Sequence, residues 1–207
     1  NEILNVSSFH WCNPNHQFNF HFVALILERL DLWEFDITWT FYIYKEVDFF
    51  YEFVNDNIER INDTEEKYDL VVAKFVAFTT ATTIRELRDL ATIYLIEFGK
   101  KYPIHLLNLT EYCTRLSDEY IYERLVSCCY GVSLILQNDK GFVQNILPEI
   151  SRRLFQLQFA ENAFHPVFNY IVIDSIKHLV DLAVHKGVFP LDESLSKYQF
   201  PLSQNWS

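Results

Sequence analysis

The sequence has no methionine, four glycines, four cysteines and six prolines in 207 residues, and its bases are outnumbered by its acids. Scarce glycine argues against a glycine-rich sandwich or barrel, whose tight turns depend on its backbone freedom. Cys12, Cys113, Cys128 and Cys129 form neither a C-x-x-C pair nor a disulfide-dense framework. Buried, reduced thiols are expected, as in a cytoplasmic protein. No segment reaches the roughly 18 apolar residues of a membrane span, and residues 1–20 lack the basic start and apolar run of a secretory signal. Without methionine and beginning at Asn1, the chain reads as a fragment of a longer one. Phosphate loops, G-x-S-x-G elbows, H-E-x-x-H and dinucleotide fingerprints are missing, so no cofactor and no catalytic machinery are expected.

Aromatic and apolar residues are abundant. Half of the chain is apolar and 17% is aromatic, which calls for an ordered interior because rings need surfaces to pack on. The net charge of −11 is unevenly spread: residues 1–83 hold 14 acids against 5 bases, whereas residues 84–207 hold 14 against 12. An acidic field of this kind repels nucleic-acid backbone and anionic lipid and attracts a basic protein surface.

Apolar spacing of three and four predicts helices throughout. Phe18, Phe22, Leu25, Ile26 and Leu30 mark a first helix over 16–30, behind the Asn13-Pro14-Asn15 turn. The aromatic run 36–47 is also read as helix, and 47–61 carries an apolar stripe opposite an acidic one. Asp63-Thr64-Glu65-Glu66 and Thr83-Ile84-Arg85-Glu86 match capping boxes before helices over 65–79 and 84–98. Gly99 reads as a helix stop and Gly131 as a point where a neighbouring helix approaches. Helices over 104–116, 118–137, 142–159 and 168–185 follow, with an extended tail after Pro190. Without a flexible linker, residues 1–207 are taken as one domain or part of a longer array, with a soft boundary near 62–64.

Arg88-Asp89-Leu90-Ala91-Thr92 and Glu123-Arg124-Leu125-Val126-Ser127 open two of these helices, their arginines 36 positions apart. Such an echo, within the range of roughly 35 to 47 residues, predicts an all-α solenoid of the HEAT or tetratricopeptide kind, here of about eight or nine helices. Arg88, Asp89, Asp118, Glu123 and Arg124 are then joints between repeats, since an arginine fork bonds helix-end carbonyls or a carboxylate. Solenoids bind proteins through extended faces. Trp33, Trp39, Tyr42, Tyr44 and Tyr51 are the candidate partner contacts, although aromatics at helical spacing are as often core. His10, Cys12, His16 and His21 crowd within twelve residues but match no standard zinc spacing. Three readings follow: a non-catalytic recognition array, a structural spacer in a large chain, and a small metal-dependent helical hydrolase using His10, His16 and His21.

The order of short motifs adds to this. Asn15-His16-Gln17-Phe18-Asn19, Leu32 to Thr40, Leu87 to Thr92, Ser117 to Arg124, Tyr130-Gly131-Val132 and the closing Phe200 to Trp206 resemble the C-terminal helical region of large bacterial STAND ATPases of the antiviral Avs type. The chain departs from that pattern at Phe35, Glu119 and Ile173. The resemblance implies a sensor or scaffold that lies behind an effector and a NACHT-like ATPase in one parent chain. Its implied partner is a phage protein recognised by shape, and no turnover of its own is implied.

Overall fold

The computed structural model describes residues 10–159 and 168–189, and its contacts group the chain into two compact units, 1–135 and 136–207. Among the described residues all regular structure is helical: eleven α-helical segments and one π-helical turn. None of these helices is long and apolar enough to cross a membrane. The expected tail after Pro190, with its closing motif, lies outside the described residues.

In the first unit, α1 (Phe20–Leu27) is capped by Asn19, whose Oδ1 accepts the His21 N–H at 3.0 Å. It is shorter than the apolar spacing over 16–30 predicts, because 10–19 fold into hydrogen-bonded turns. Asp31 and Glu34 form a reciprocal capping box for α2 (Leu32–Phe35). The helix continues through a π-helical turn, Asp36–Thr40, in which the Phe41 N–H donates to the Asp36 carbonyl, into α3 (Phe41–Lys45). This one wider turn re-phases the aromatics. Phe35, Trp39, Tyr42 and Ile43 consequently face inward along a single continuous path.

The centre of the unit is α5 (Glu66–Thr79), buried at every position from Val71 to Thr79 except Lys74. A helix apolar around most of its circumference must be covered on several sides. It is packed by α1, by α4 (Val47–Arg60) and by α6 (Arg85–Lys101), and α6 also packs on α4 and on α7 (Pro103–Cys113). Pro103 sits in the first turn of α7, where its missing N–H costs nothing. The last helix of the unit is α8 (Glu119–Leu136).

Several local expectations are corrected. Neither predicted capping box forms: α5 follows Glu65 and α6 follows Ile84, both without a side-chain cap. The Thr64 hydroxyl instead donates to Asp69 Oδ1, and Thr82 Oγ1 accepts the Ile84 N–H at 3.2 Å. Gly99 does not stop its helix. A Cβ there would lie 2.6 Å from Leu106 Cδ2 and 2.7 Å from Val132 Cγ2, so this glycine permits close approach of α7 and α8 to α6. At Gly131, where the sequence predicts such an approach, the nearest atom to a Cβ is Ile96 Cδ1 at 3.8 Å, an ordinary contact. Across residues 62–64, Lys101 Nζ donates to the Ile61 and Thr64 carbonyls at 2.7 and 3.0 Å and pairs with Asp69 at 3.0 Å.

The second unit contains α9 (Lys140–Asn145), α10 (Leu147–Phe159) and α11 (Tyr170–His185). The single helix predicted over 142–159 breaks at Ile146, because Pro148 has no N–H for a preceding turn and fits only near a helix start. Leu147, Ile150 and Leu154 of α10 and Val172, Ile176 and Leu179 of α11 are buried where these helices pack. Gly187, at φ 71°, ends α11 in the left-handed region that glycine occupies readily.

Candidate recognition surface

The path Leu32–Lys45 has two sides. Trp39 is 0% exposed and donates its Nε1–H to the Phe78 carbonyl at 2.8 Å. Tyr42 is 7% exposed and packs on Trp11 and Phe50. These two candidate partner contacts are therefore core residues, sealed because the wide turn aims them at α5. The opposite side holds Trp33, 70% exposed, and Tyr44, 62% exposed, as two candidates that remain at the surface. Tyr51 is half-buried; desolvation first, then the carboxylates of Glu86 and Asp89, raise its hydroxyl above the ordinary tyrosine value.

Ile37 and Phe41 complete the outer side and were missed from sequence. Ile37, Phe41 and Tyr44 line an open groove of about 610 Å³ together with Asp36, Thr40 and Thr83. Apolar walls with a few carboxylate and hydroxyl groups suit a partner that presents apolar side chains flanked by cations. Residues 31–60 carry eight acids and two bases, so the field over this surface is negative. The signal available in sequence was the spacing Trp33, Ile37, Phe41, Tyr44, which is helical and so indistinguishable from a core stripe. A different surface is formed on α1 and the turn before it. There Phe18, Phe22, Leu25 and Ile26 are exposed, with Phe18 and Phe22 in edge-to-face contact at 5.2 Å.

The residues expected at repeat joints divide. Arg88 of α6 and Arg124 of α8 converge on one ring: each guanidinium carbon lies 5.3 Å from the centre of Tyr120, and Arg124 Nη2 donates to its hydroxyl at 3.1 Å. The Nε groups of both arginines are buried and meet no hydrogen-bond acceptor among the described residues. Asp89 takes no part in this cluster and forms an exposed pair with Arg85 at 3.6 Å. Asp118 caps α8 by accepting the Tyr120 N–H at 2.8 Å. Burial, with smaller contributions from Asp36 and Glu119, pushes its carboxyl up against the opposing pull of that N–H. Glu123 is buried, and its carbonyl accepts the Ser127 hydroxyl at 3.0 Å.

The histidine-rich turn does not assemble a metal centre. The rings of His10 and His16 stack at 3.9 Å, burial pushes the Cys12 thiol up to about 12, and His21 is lowered by desolvation and by Lys74. Among the described residues no three His, Cys, Asp or Glu side chains gather as ligands. The other cysteines are buried with raised thiols, so none is a ready nucleophile. No family model matches the chain, nor does any curated protein or solved structure.

Proposed function

We propose that this chain is a non-catalytic protein-recognition segment of helical-repeat type, with Trp33, Ile37, Phe41 and Tyr44 as its partner-facing surface. One observation carries the reading: an exposed aromatic stripe beside a groove, in the most acidic part of the molecule. A soluble domain gains nothing in stability from a tryptophan that is 70% exposed, and contiguous exposed apolar residues mark interaction sites. The convergence of Arg88 and Arg124 on Tyr120 supports a repeat-like joint between α6 and α8. The resemblance to STAND ATPases of the Avs type supports reading the segment as part of a cytoplasmic, bacterial sensor region, with a phage protein as its partner and the remainder of the parent chain beside it. The acidic field disfavours nucleic acid as an alternative partner.

A second reading, a structural spacer, is favoured by Phe18, Phe22, Leu25 and Ile26, which show no polar groove and match a surface covered by neighbouring parts of a parent chain. Photo-crosslinking in cells separates the two. A benzophenone side chain is placed at Tyr44 in one experiment and at Phe22 in another. Recognition predicts a crosslink from position 44 to one separate protein, abolished by Trp33→Asp. Crosslinks from position 44 confined to the parent chain would establish the spacer instead.

A further inference from the structure

A second cavity lies away from the outer stripe and shares none of its residues. It encloses about 500 Å³ and is walled by Trp11, Phe49, Phe53, Phe75 and Tyr68, with Cys12, Asn13 and Pro14 along its edge. This volume falls within the range of about 300–1,000 Å³ typical of small-molecule sites. The walls are built in advance by the core. Phe53 meets Phe75 edge-on at 4.9 Å, Trp11 lies 5.7 Å from Phe75, and Phe50 stacks behind Phe75 at 5.2 Å. The Trp11 carbonyl is fixed by the Phe20 N–H at 2.8 Å. Phe49, 39% exposed, stands at the solvent side.

We infer that this recess binds a flat, uncharged aromatic molecule that carries a hydrogen-bond donor on one edge. Planarity follows from the rings, whose faces and edges offer stacking and edge-to-face contacts. The donor requirement follows from Tyr68. Its hydroxyl donates to Asn57 Oδ1 at 3.0 Å, and the Asn57 amide donates on to the Phe53 carbonyl at 2.8 Å. The phenol proton is thereby committed, and the phenol oxygen is left able to accept. Neutrality follows from the lining, which among the described residues contains no charged side chain to pair with a buried ion. The surrounding acidic charge further disfavours an anion. Cys12 forms part of the wall without being a nucleophile, so binding is non-covalent.

The test uses phenylnaphthylamine, a neutral planar probe with one N–H, and anilinonaphthalene sulfonate, its anionic relative. Each is titrated into the whole chain while probe and tryptophan fluorescence are followed. One saturable site for the neutral probe is expected, with the anion at least about tenfold weaker. Tyr68→Phe raises Kd for the neutral probe by about three- to tenfold through loss of the acceptor. Phe49→Ala raises it about fivefold or more, and Phe49→Trp, which keeps a ring at that position and narrows the recess, also weakens binding. Trp33→Ala leaves Kd unchanged. Circular dichroism of every variant confirms that its helices persist. The inference is overturned by the lack of a saturable site, by a preference for the anion, or by binding that is lost with Trp33→Ala and retained in both Phe49 variants. The last result would put the probe on the outer stripe. The recess does not rest on the recognition reading, so either can fail alone.

Discussion

Residues 20–60 and 66–136 reach the same helical state by different means. Among the described residues, ten of the seventeen exposed large apolar side chains lie between Phe18 and Phe49, including Trp33, Phe41 and Tyr44. In contrast, α5 and α8 bury nine residues each, with a single aromatic ring, Tyr122, among those of α8. The earlier region combines acids and exposed rings around an aromatic core; the later one is closed and close-packed. Apolar content alone therefore does not identify core. The difference lies in whether another helix covers the residue, and α3 has cover on one side only.

The seam between the two regions is the largest lever. Lys101→Ala removes the cation that holds Asp69 and two carbonyls, leaving a carboxylate that is almost fully buried. A loss of about 3–5 kcal/mol is expected, measured by urea unfolding. If that loss is below about 1 kcal/mol, the regions do not depend on this joint.

The two sides of the Leu32–Lys45 path come next. Trp39→Ala empties a filled core site and forfeits the bond to Phe78, for a loss of about 3–5 kcal/mol. Trp33→Ala changes stability by no more than about 0.5 kcal/mol. Similar losses at both positions would show that Trp33 is packed in solution and is no free contact.

Within the later region the two glycines have opposite signs. Gly99→Val drives atoms into Leu106 and Val132 and costs about 1–3 kcal/mol. Gly131→Ala, with ordinary contact to Ile96, gains up to about 1 kcal/mol of helix propensity. Thermal melts of the pair decide which glycine the packing requires. Tyr120→Ala removes the ring shared by Arg88 and Arg124 and costs about 1–2 kcal/mol, while Tyr120→Phe retains most of that.

The smallest effect concerns pH. Asp118 is raised in the folded state, chiefly by burial, so its ionisation is a cost to the fold. That cost is absent below the unfolded carboxylate value of about 3.9 and grows as pH rises through the raised folded value. Asp118→Asn keeps a capping oxygen for Tyr120 and removes this dependence. The variant is expected to be slightly more stable than the parent near neutral pH and no more stable near about pH 3. Denaturant melts at both values check it, and a loss at neutral pH would mean that the charged form is favoured after all.

Much of the fold was legible because helix periodicity is a local property. The helices over 47–61 and 65–79 were placed almost to the residue, since each carries its own pattern and lies between turn-forming residues. The division at Ile146 was less legible, although Pro148 was its local cause. Of the candidate contacts, Trp33 and Tyr44 were found at the surface and Trp39 and Tyr42 in the core. A π-helical turn decides that split by shifting the register of one helix, and no short-range signal distinguishes its inner aromatics from its outer ones. Ile37 and Phe41 were overlooked for the same reason.

The sequence alone determined the helical class, the helix start near residue 104, the helix end near residue 185 and the acidic skew, because these depend on neighbours along the chain and on composition. Only the tertiary structure decided which rings are covered, that Gly99 rather than Gly131 admits its neighbours, and that arginines 36 positions apart share the ring of Tyr120. Those outcomes depend on residues far apart in sequence, and on which helix packs against which.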